Sequence, residues 1–281
     1  MKRQELKDHV IVITGATGGL GRAAATALRA RGAKLALLDL DPEAVQAQAR
    51  ELGDLSVAAG WVADVRSMTS LNSAMAAVAA HFGGIDVVIA GAGIGIGIGG
   101  ALESMDPDAF DRVIDINLNG VWRSFRAALP EVKRRRGYLL AVSSMAAFIH
   151  SPLNVHYTAS KAGVWAMCNS ARLELRHGGV RVGSFHPTFF KTPMMDAVVD
   201  GPCSTLVWNQ HRGIWQFVPL QEVVAALVDC IEYRRETVTV PRRNAWVANA
   251  PGLARKLIEG VGFKDRKVAE AMRQHHGSLR A

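Results

Sequence analysis

The chain has 281 residues, 49% of them hydrophobic, and a formal net charge of +8. That length supports one large α/β domain with a substantial core. Cys168, Cys203 and Cys230 lack metal-ligand or redox spacing and read as free thiols of a reducing, cytoplasmic compartment; the charged residues 1–8 argue against a signal peptide, and the uncharged stretch 87–102 is too short and glycine-rich to span a membrane.

In chain order, the apolar run 10–13 reads as a first strand and feeds Thr14-Gly15-Ala16-Thr17-Gly18-Gly19-Leu20-Gly21, after which 22–31 reads as an alanine-rich helix. Strand, glycine turn and helix form the context of a dinucleotide fingerprint. Gly15 permits the tight turn, Gly19 lets the backbone approach a pyrophosphate, and Gly21 allows close packing of helix on sheet. Thr17, Gly18 and Leu20 complete the turn, whose N–H groups face the phosphates at the helix N-terminus. The second strand, 34–38, ends at Asp39, 18 residues after Gly21. An acidic side chain there accepts hydrogen bonds from the adenosine ribose and repels a 2′-phosphate, so the cofactor expected is NAD rather than NADP. Asp41 precedes Pro42 and suits a helix N-cap.

Further short apolar runs occur at 57–62, 87–90, 138–142, 180–185 and 237–240, and helical patterns fill most gaps, for example 67–82, 108–133, 155–177 and 221–233. This alternation predicts a doubly wound, parallel, seven-stranded Rossmann-type sheet with helices on both faces. Ligands of such sheets sit beyond the carboxyl ends of the strands. Gly15, Asp39, Asp64, Gly93, Ser144 and Pro187 all fall at or just after those ends.

Tyr157 and Lys161 lie four residues apart, with Ser144 thirteen residues upstream. On a helix the pair shares one face. A lysine cation beside the phenol would lower its pKa from about 10 and make it a usable acid/base near neutrality.

The glycine turn, Asn117 within Ile116-Asn117-Leu118-Asn119-Gly120, Ser144, Tyr157 and Lys161 together resemble the short-chain dehydrogenase/reductase family, in its single-domain branch, over roughly residues 6–245. The resemblance implies that Tyr157 transfers the proton, that Lys161 lowers its pKa and holds the nicotinamide ribose, and that Ser144 polarises the substrate oxygen. It further implies that Asn117 holds a water linking Lys161 to solvent. Asp64, followed by Val65, would bond the adenine ring, and Thr192 would contact the nicotinamide amide. Residues 1–245 would form the dinucleotide-binding and catalytic domain, and 246–281 a basic extension on or beside it. The implied activity is NAD-dependent hydride transfer, and the implied assembly a homodimer or homotetramer. An NAD-binding regulator without turnover is the alternative.

Two departures from the family pattern stand out. The family's Asn-Asn-Ala-Gly is replaced by Ala90-Gly91-Ala92-Gly93, so Gly91 still permits backbone approach to the adenosine but the tie between strands must come from elsewhere. Pro-Gly after the sixth strand becomes Pro187-Thr188, next to the nicotinamide. The stretch 93–100 alternates glycine with isoleucine and reads either as a mobile loop or as a substrate element.

Met194, Met195, Trp208, Trp215 and Phe217 supply adaptable apolar walls for a lipophilic secondary alcohol or ketone (steroid-, retinoid- or fatty-alcohol-like), or else form core or subunit interface. Residues 231–281 carry eleven Lys/Arg against five Asp/Glu, with Trp246, Leu253, Leu257, Ile258 and Phe263 at partly helical spacing. Three roles fit that tail: peripheral contact with an anionic membrane, a shield for a lipophilic substrate mouth, or packing on a sister subunit. Nothing in the basic residues matches a nucleic-acid reader, and no metal site is expected.

Overall fold

The computed structural model describes residues 3–95, 100–193, 195 and 206–278. Seven strands form one parallel sheet: β1 (Val10–Thr14), β2 (Lys34–Asp39), β3 (Ala58–Val62), β4 (Val87–Ala90), β5 (Tyr138–Val142), β6 (Arg181–Pro187) and β7 (Thr237–Val240). Their order is β3-β2-β1-β4-β5-β6-β7, and the seven parallel strands are those that the alternation of the sequence predicts. The chain returns across the sheet between β3 and β4, so β1 and β4 become neighbours, with Ile11 opposite Val87 and Thr14 opposite Ala90. This reversal opens a crevice beyond the carboxyl ends of β1 and β4.

Successive side chains of a strand point to opposite faces, and β1 uses both. Ile11 and Ile13 join one core cluster, while Val10 and Val12 join the other. Over the first face lie α1 (Gly19–Arg29), α2 (Pro42–Leu52) and α7 (Leu220–Glu232), contributing Leu28, Val45 and Leu227. The second face is covered by α3 (Met68–Phe82), α5 (Gly120–Arg135) and α6 (Val155–Leu175), through Leu71, Phe125 and Val164. Burial on both faces is why the strands read as continuous apolar runs.

Local signals set the element ends. Asp41 caps α2, accepting from the N–H groups of Glu43 at 2.9 Å and Ala44 at 3.0 Å, with Pro42 in the first turn. Ser67 caps α3 by accepting from the N–H of Ser70. The helix expected over 108–133 is instead α4 (Pro107–Ile114), a π-helical turn over Asp115–Asn119, and then α5. A π turn inserts one residue into the helical ladder and re-aims the side chains beside it. Here it carries Asn117, which is fully buried. After β7 the chain forms α8 (Ala245–Asn249), α9 (Pro251–Gly262) and α10 (Asp265–Ser278). No helix among the described residues is long and apolar enough to cross a membrane.

Candidate active site

The glycine turn closes tightly enough to exclude side chains. Gly15 has φ +69°, and a Cβ there would lie 2.8 Å from Ala92 Cα. A Cβ on Gly21 would strike the Gly15 carbonyl oxygen and approach Ala16 Cα to 2.9 Å. On Gly19 it would meet Thr192 Cγ2 at 2.9 Å, so Thr192, which follows β6, rests against the start of α1. Gly18 caps α1 without a side-chain hydrogen bond, and Leu20 turns down into the core. Bare backbone at a helix N-terminus suits a pyrophosphate.

Asp39 is bound to this turn more closely than the sequence reading anticipates. Its Oδ2 accepts from the Thr17 N–H at 2.9 Å and from the Thr17 hydroxyl at 2.7 Å, while Oδ1 accepts from the Leu40 N–H at 2.8 Å. The carboxylate is therefore fixed between the end of β2 and the glycine turn, where a ribose would lie. Glycine cradle, uncapped helix start and fixed carboxylate together fit a dinucleotide. Asp64 stands two residues past the end of β3, paired with Arg66 through contacts of 2.8–3.1 Å. That hydrogen bonding is the largest cause holding its carboxyl below the usual range. Val65 is buried, its side chain lying against Gly120.

The missing strand tie is supplied by Thr14. Its Oγ1 accepts from the N–H of Gly91 at 3.1 Å and of Ala92 at 3.2 Å. Beyond them, a Cβ on Gly93 would lie 3.2 Å from Asn117 Oδ1 and 3.6 Å from Lys161 Nζ, so this glycine lets the loop after β4 run directly over both. Asn117 grips that loop at both ends of its amide: Oδ1 accepts from the Ile94 N–H and Nδ2 donates to the Ile94 carbonyl, each at 2.8 Å. Residues 96–99 of the Gly-Ile stretch, with Met194 and Cys203, lie outside the described residues.

Ser144 follows β5 in extended conformation, its Oγ accepting from the Ala146 N–H at 3.1 Å. Across from it α6 presents Tyr157, which shares a side-chain hydrogen bond with Ser144. Lys161, one turn on, is buried; its Nζ donates to the Val142 carbonyl at 3.1 Å and lies 5.5 Å from the centroid of the Tyr157 ring. The quartet expected from the sequence is thus assembled, but its electrostatics differ from expectation. Burial raises the Tyr157 pKa above its ordinary value, and the Ser144 bond only partly opposes this. Lys161 stands beside the ring with its ammonium bonded to Val142, and burial pulls its own pKa down to about 8. Desolvation of the phenolate is the larger influence on Tyr157 and sets the direction of its shift.

His186 escaped the sequence reading. It is fully buried in β6, just before Pro187. Because a carbonyl can only accept, its Nδ1 donates to the Ser144 carbonyl, at 3.2 Å, and Nε2 accepts from the Ser184 hydroxyl at 2.8 Å. Burial foremost, with the Lys161 charge adding to it, lowers its pKa to about 4, so the ring is neutral at ordinary pH. The signal was a histidine two residues after a serine inside a strand that is buried after its first residue. Pro187 ends β6, and Thr188 donates its N–H to the Val240 carbonyl at 2.8 Å, extending the pairing with β7. Among the described residues, no group of three or more His, Cys, Asp or Glu could hold a metal ion.

The short chain dehydrogenase family model matches residues 9–202. The oxidoreductase UcpA of Salmonella typhimurium is 34% identical over 197 residues, covering 69% of this chain and 74% of that protein. A 3-alpha-(or 20-beta)-hydroxysteroid dehydrogenase of Mycobacterium tuberculosis is 35% identical over 195 residues, covering 69% and 73%. Among solved structures, a short-chain dehydrogenase/reductase from Brucella melitensis, described as a glucose/ribitol dehydrogenase, aligns with TM-score 0.76 and 29% identity over 85% of this chain and 97% of the other.

Two outcomes are expected. Thr14→Val keeps the shape but leaves two N–H groups without their acceptor, which should cost about 1–3 kcal/mol in urea unfolding and weaken binding of the nicotinamide cofactor; unchanged stability contradicts the tie. Lys161, at about 8 in the fold against 10.5 ordinarily, binds fewer protons in the native than in the unfolded chain between those values. Stability therefore rises with pH across that window and the gain is lost as pH falls through about 8. Unfolding of the parent and of Lys161→Met should accordingly diverge in the parent's favour as pH rises from 8 towards 10.5; a pH-independent difference contradicts the buried ammonium.

Proposed function

The chain belongs to the short-chain dehydrogenase family of oxidoreductases, and from that premise we propose that it transfers a hydride between NAD and the carbinol carbon of a lipophilic secondary alcohol. The observation that carries the proposal is the grouping of Ser144, Tyr157 and Lys161 at the carboxyl end of β5, under the loop that Gly93 and Asn117 hold down.

When bound, the nicotinamide supplies the hydride acceptor for alcohol oxidation and the donor for ketone reduction. The protein's own task is the proton. Ser144 Oγ hydrogen-bonds the substrate oxygen and stabilises the charge developing on it. Tyr157 Oη, as phenolate, takes the hydroxyl proton as the carbon gives up its hydride, so alcohol and NAD become ketone, NADH and a proton held on the phenol. Lys161 favours the phenolate and orients the nicotinamide ribose. His186 holds Ser144 through its backbone carbonyl, and Asn117 keeps the Ile94 loop closed over Lys161.

The preference for NAD rests on Asp39. Its carboxylate, fixed by Thr17 and Leu40, would sit against any 2′-phosphate, and that repulsion has no competing cation in the glycine turn. The closeness of Thr192 to Gly19 supports its contact with the nicotinamide amide of a dinucleotide lying on the turn. A lipophilic substrate is supported by the rings of Phe189, Trp208, Trp215 and Phe217 beyond β6, and by the likeness to the hydroxysteroid dehydrogenase. Exposed Trp122 on α5 and Leu173 on α6 support self-association as a homodimer or homotetramer.

Turnover of a panel of lipophilic secondary alcohols with NAD and NADP side by side tests this reading. The parent should favour NAD, and Tyr157→Phe should lose turnover by about 10²–10⁴-fold while still binding NAD. Comparable turnover in that variant contradicts the role of Tyr157, and a preference for NADP contradicts that of Asp39.

A further inference from the structure

The family match ends at residue 202, yet the chain beyond it is built onto the site. From the end of β6 a series of aromatic rings runs outward. Phe189 meets Trp208 at 5.0 Å, His211 at 4.8 Å, Phe217 at 6.3 Å and Trp215 at 6.5 Å between ring centroids. The Val218 N–H donates to the Phe189 carbonyl at 2.8 Å and closes this segment on itself. Trp215 is buried and lies against Phe263, in the connection between α9 and α10, with centroids 5.2 Å apart and planes inclined by 30°. Gly262 completes the contact: a Cβ there would lie 2.7 Å from Trp215 Cζ2, so the indole edge occupies the place of a side chain.

A second set of contacts comes from α10. Ala271 is fully buried in a cluster with Ala101, Leu153 and Val207, and Phe263 and Met272 pack against it. Ala101 belongs to the loop after β4, where neighbouring Gly100 is bridged to Asn154. Leu153 lies four residues before Tyr157. Lys267 Nζ donates to Asn209 Oδ1 at 3.3 Å. The tail thereby touches all three chain segments that leave the sheet around the catalytic group: those after β4, before α6 and after β6. Its basic residues Lys264, Arg266, Lys267 and Arg273 are exposed, while Phe263, Ala271 and Met272 turn inward.

We propose that α9 and α10 form a clamp that holds the aromatic segment 206–217 over the catalytic group and thereby sets the size of the lipophilic alcohol admitted. This rests on the dehydrogenase reading. Without the clamp the aromatic wall loses its outer support at Trp215, and a large substrate, which needs the whole wall, loses more binding than a small one. Phe263 and Gly262 are thus specificity-determining through Trp215, without touching the reacting atoms.

Phe263→Ala in the full chain tests it by two independent readouts. Amide hydrogen exchange over 206–217 should quicken, while exchange in β1 and the glycine turn stays as in the parent. The ratio of kcat/KM for a bulky cyclic alcohol to that for a short-chain secondary alcohol should fall about tenfold or more, chiefly through KM for the bulky one. Phe263→Leu should restore much of that ratio by refilling the space. Unchanged exchange overturns the clamp. Faster exchange with an unchanged ratio overturns its role in selectivity. A parent that binds NAD but turns over no alcohol overturns the dehydrogenase reading and the selectivity role with it, leaving the exchange result to decide whether the clamp exists.

Discussion

A buried ammonium organises this molecule's site. Taking a lysine charge out of water is costly unless it is paired or hydrogen-bonded, and Lys161 meets that demand at the Val142 carbonyl. The bond fixes where α6 lies relative to the end of β5. The Ser143 hydroxyl reinforces it by donating to the backbone carbonyl of Lys161 at 3.0 Å. From this junction the remaining pieces take their places: Ser144 next along the chain from Ser143, Tyr157 one turn before Lys161, and Gly93 bare enough to pass over both Lys161 and Asn117. His186 locks Ser144 from beneath, so strands β5 and β6, helix α6 and the loop after β4 all converge on one small volume.

The same burial that positions the group also works against it. An apolar surrounding holds Tyr157 in its phenol form and weakens the proton affinity of Lys161, so each of the two partners is pushed towards neutrality. In the proposed reaction a phenol kept protonated would be a store of acid for ketone reduction, and its use as a base would draw on positive charge beyond that of Lys161. Oxidised nicotinamide carries such a charge, and NAD binding and phenol ionisation would then favour one another. This coupling would keep a reactive phenolate from forming until the cofactor is in place.

Much of the architecture was legible because the strands are buried on both faces and therefore appear as unbroken apolar runs, such as 87–90 and 138–142. Asp41 and Pro42 announced a helix start by local chemistry alone, and the structure has it there. The spacing of Tyr157 and Lys161 needed only a helix to bring them together. What stayed hidden depends on partners distant in sequence. The tie from Thr14 to Gly91 and Ala92 spans 77 and 78 residues, and neither end looks unusual by itself. The π turn at Asn117 reflects its grip on Ile94, 23 residues away, rather than any helical period. The upward pull of burial on Tyr157 also stayed hidden, since a sequence reveals a neighbouring charge but not how far both groups are removed from water. The inward placement of Phe263, Ala271 and Met272 was hidden for the same reason, because Leu153, Val207 and Trp215 lie far from them in sequence.

An ultraviolet titration of the Tyr157 phenol, taken as the difference between the parent and Tyr157→Phe, with and without saturating NAD, weighs these opposing effects against each other. Without NAD the midpoint should lie above the ordinary tyrosine value of about 10, as burial requires. With NAD it should fall below that value in the parent, and Lys161→Met should lessen the fall. A midpoint that stays high in both conditions would contradict Tyr157 as the proton-transferring group.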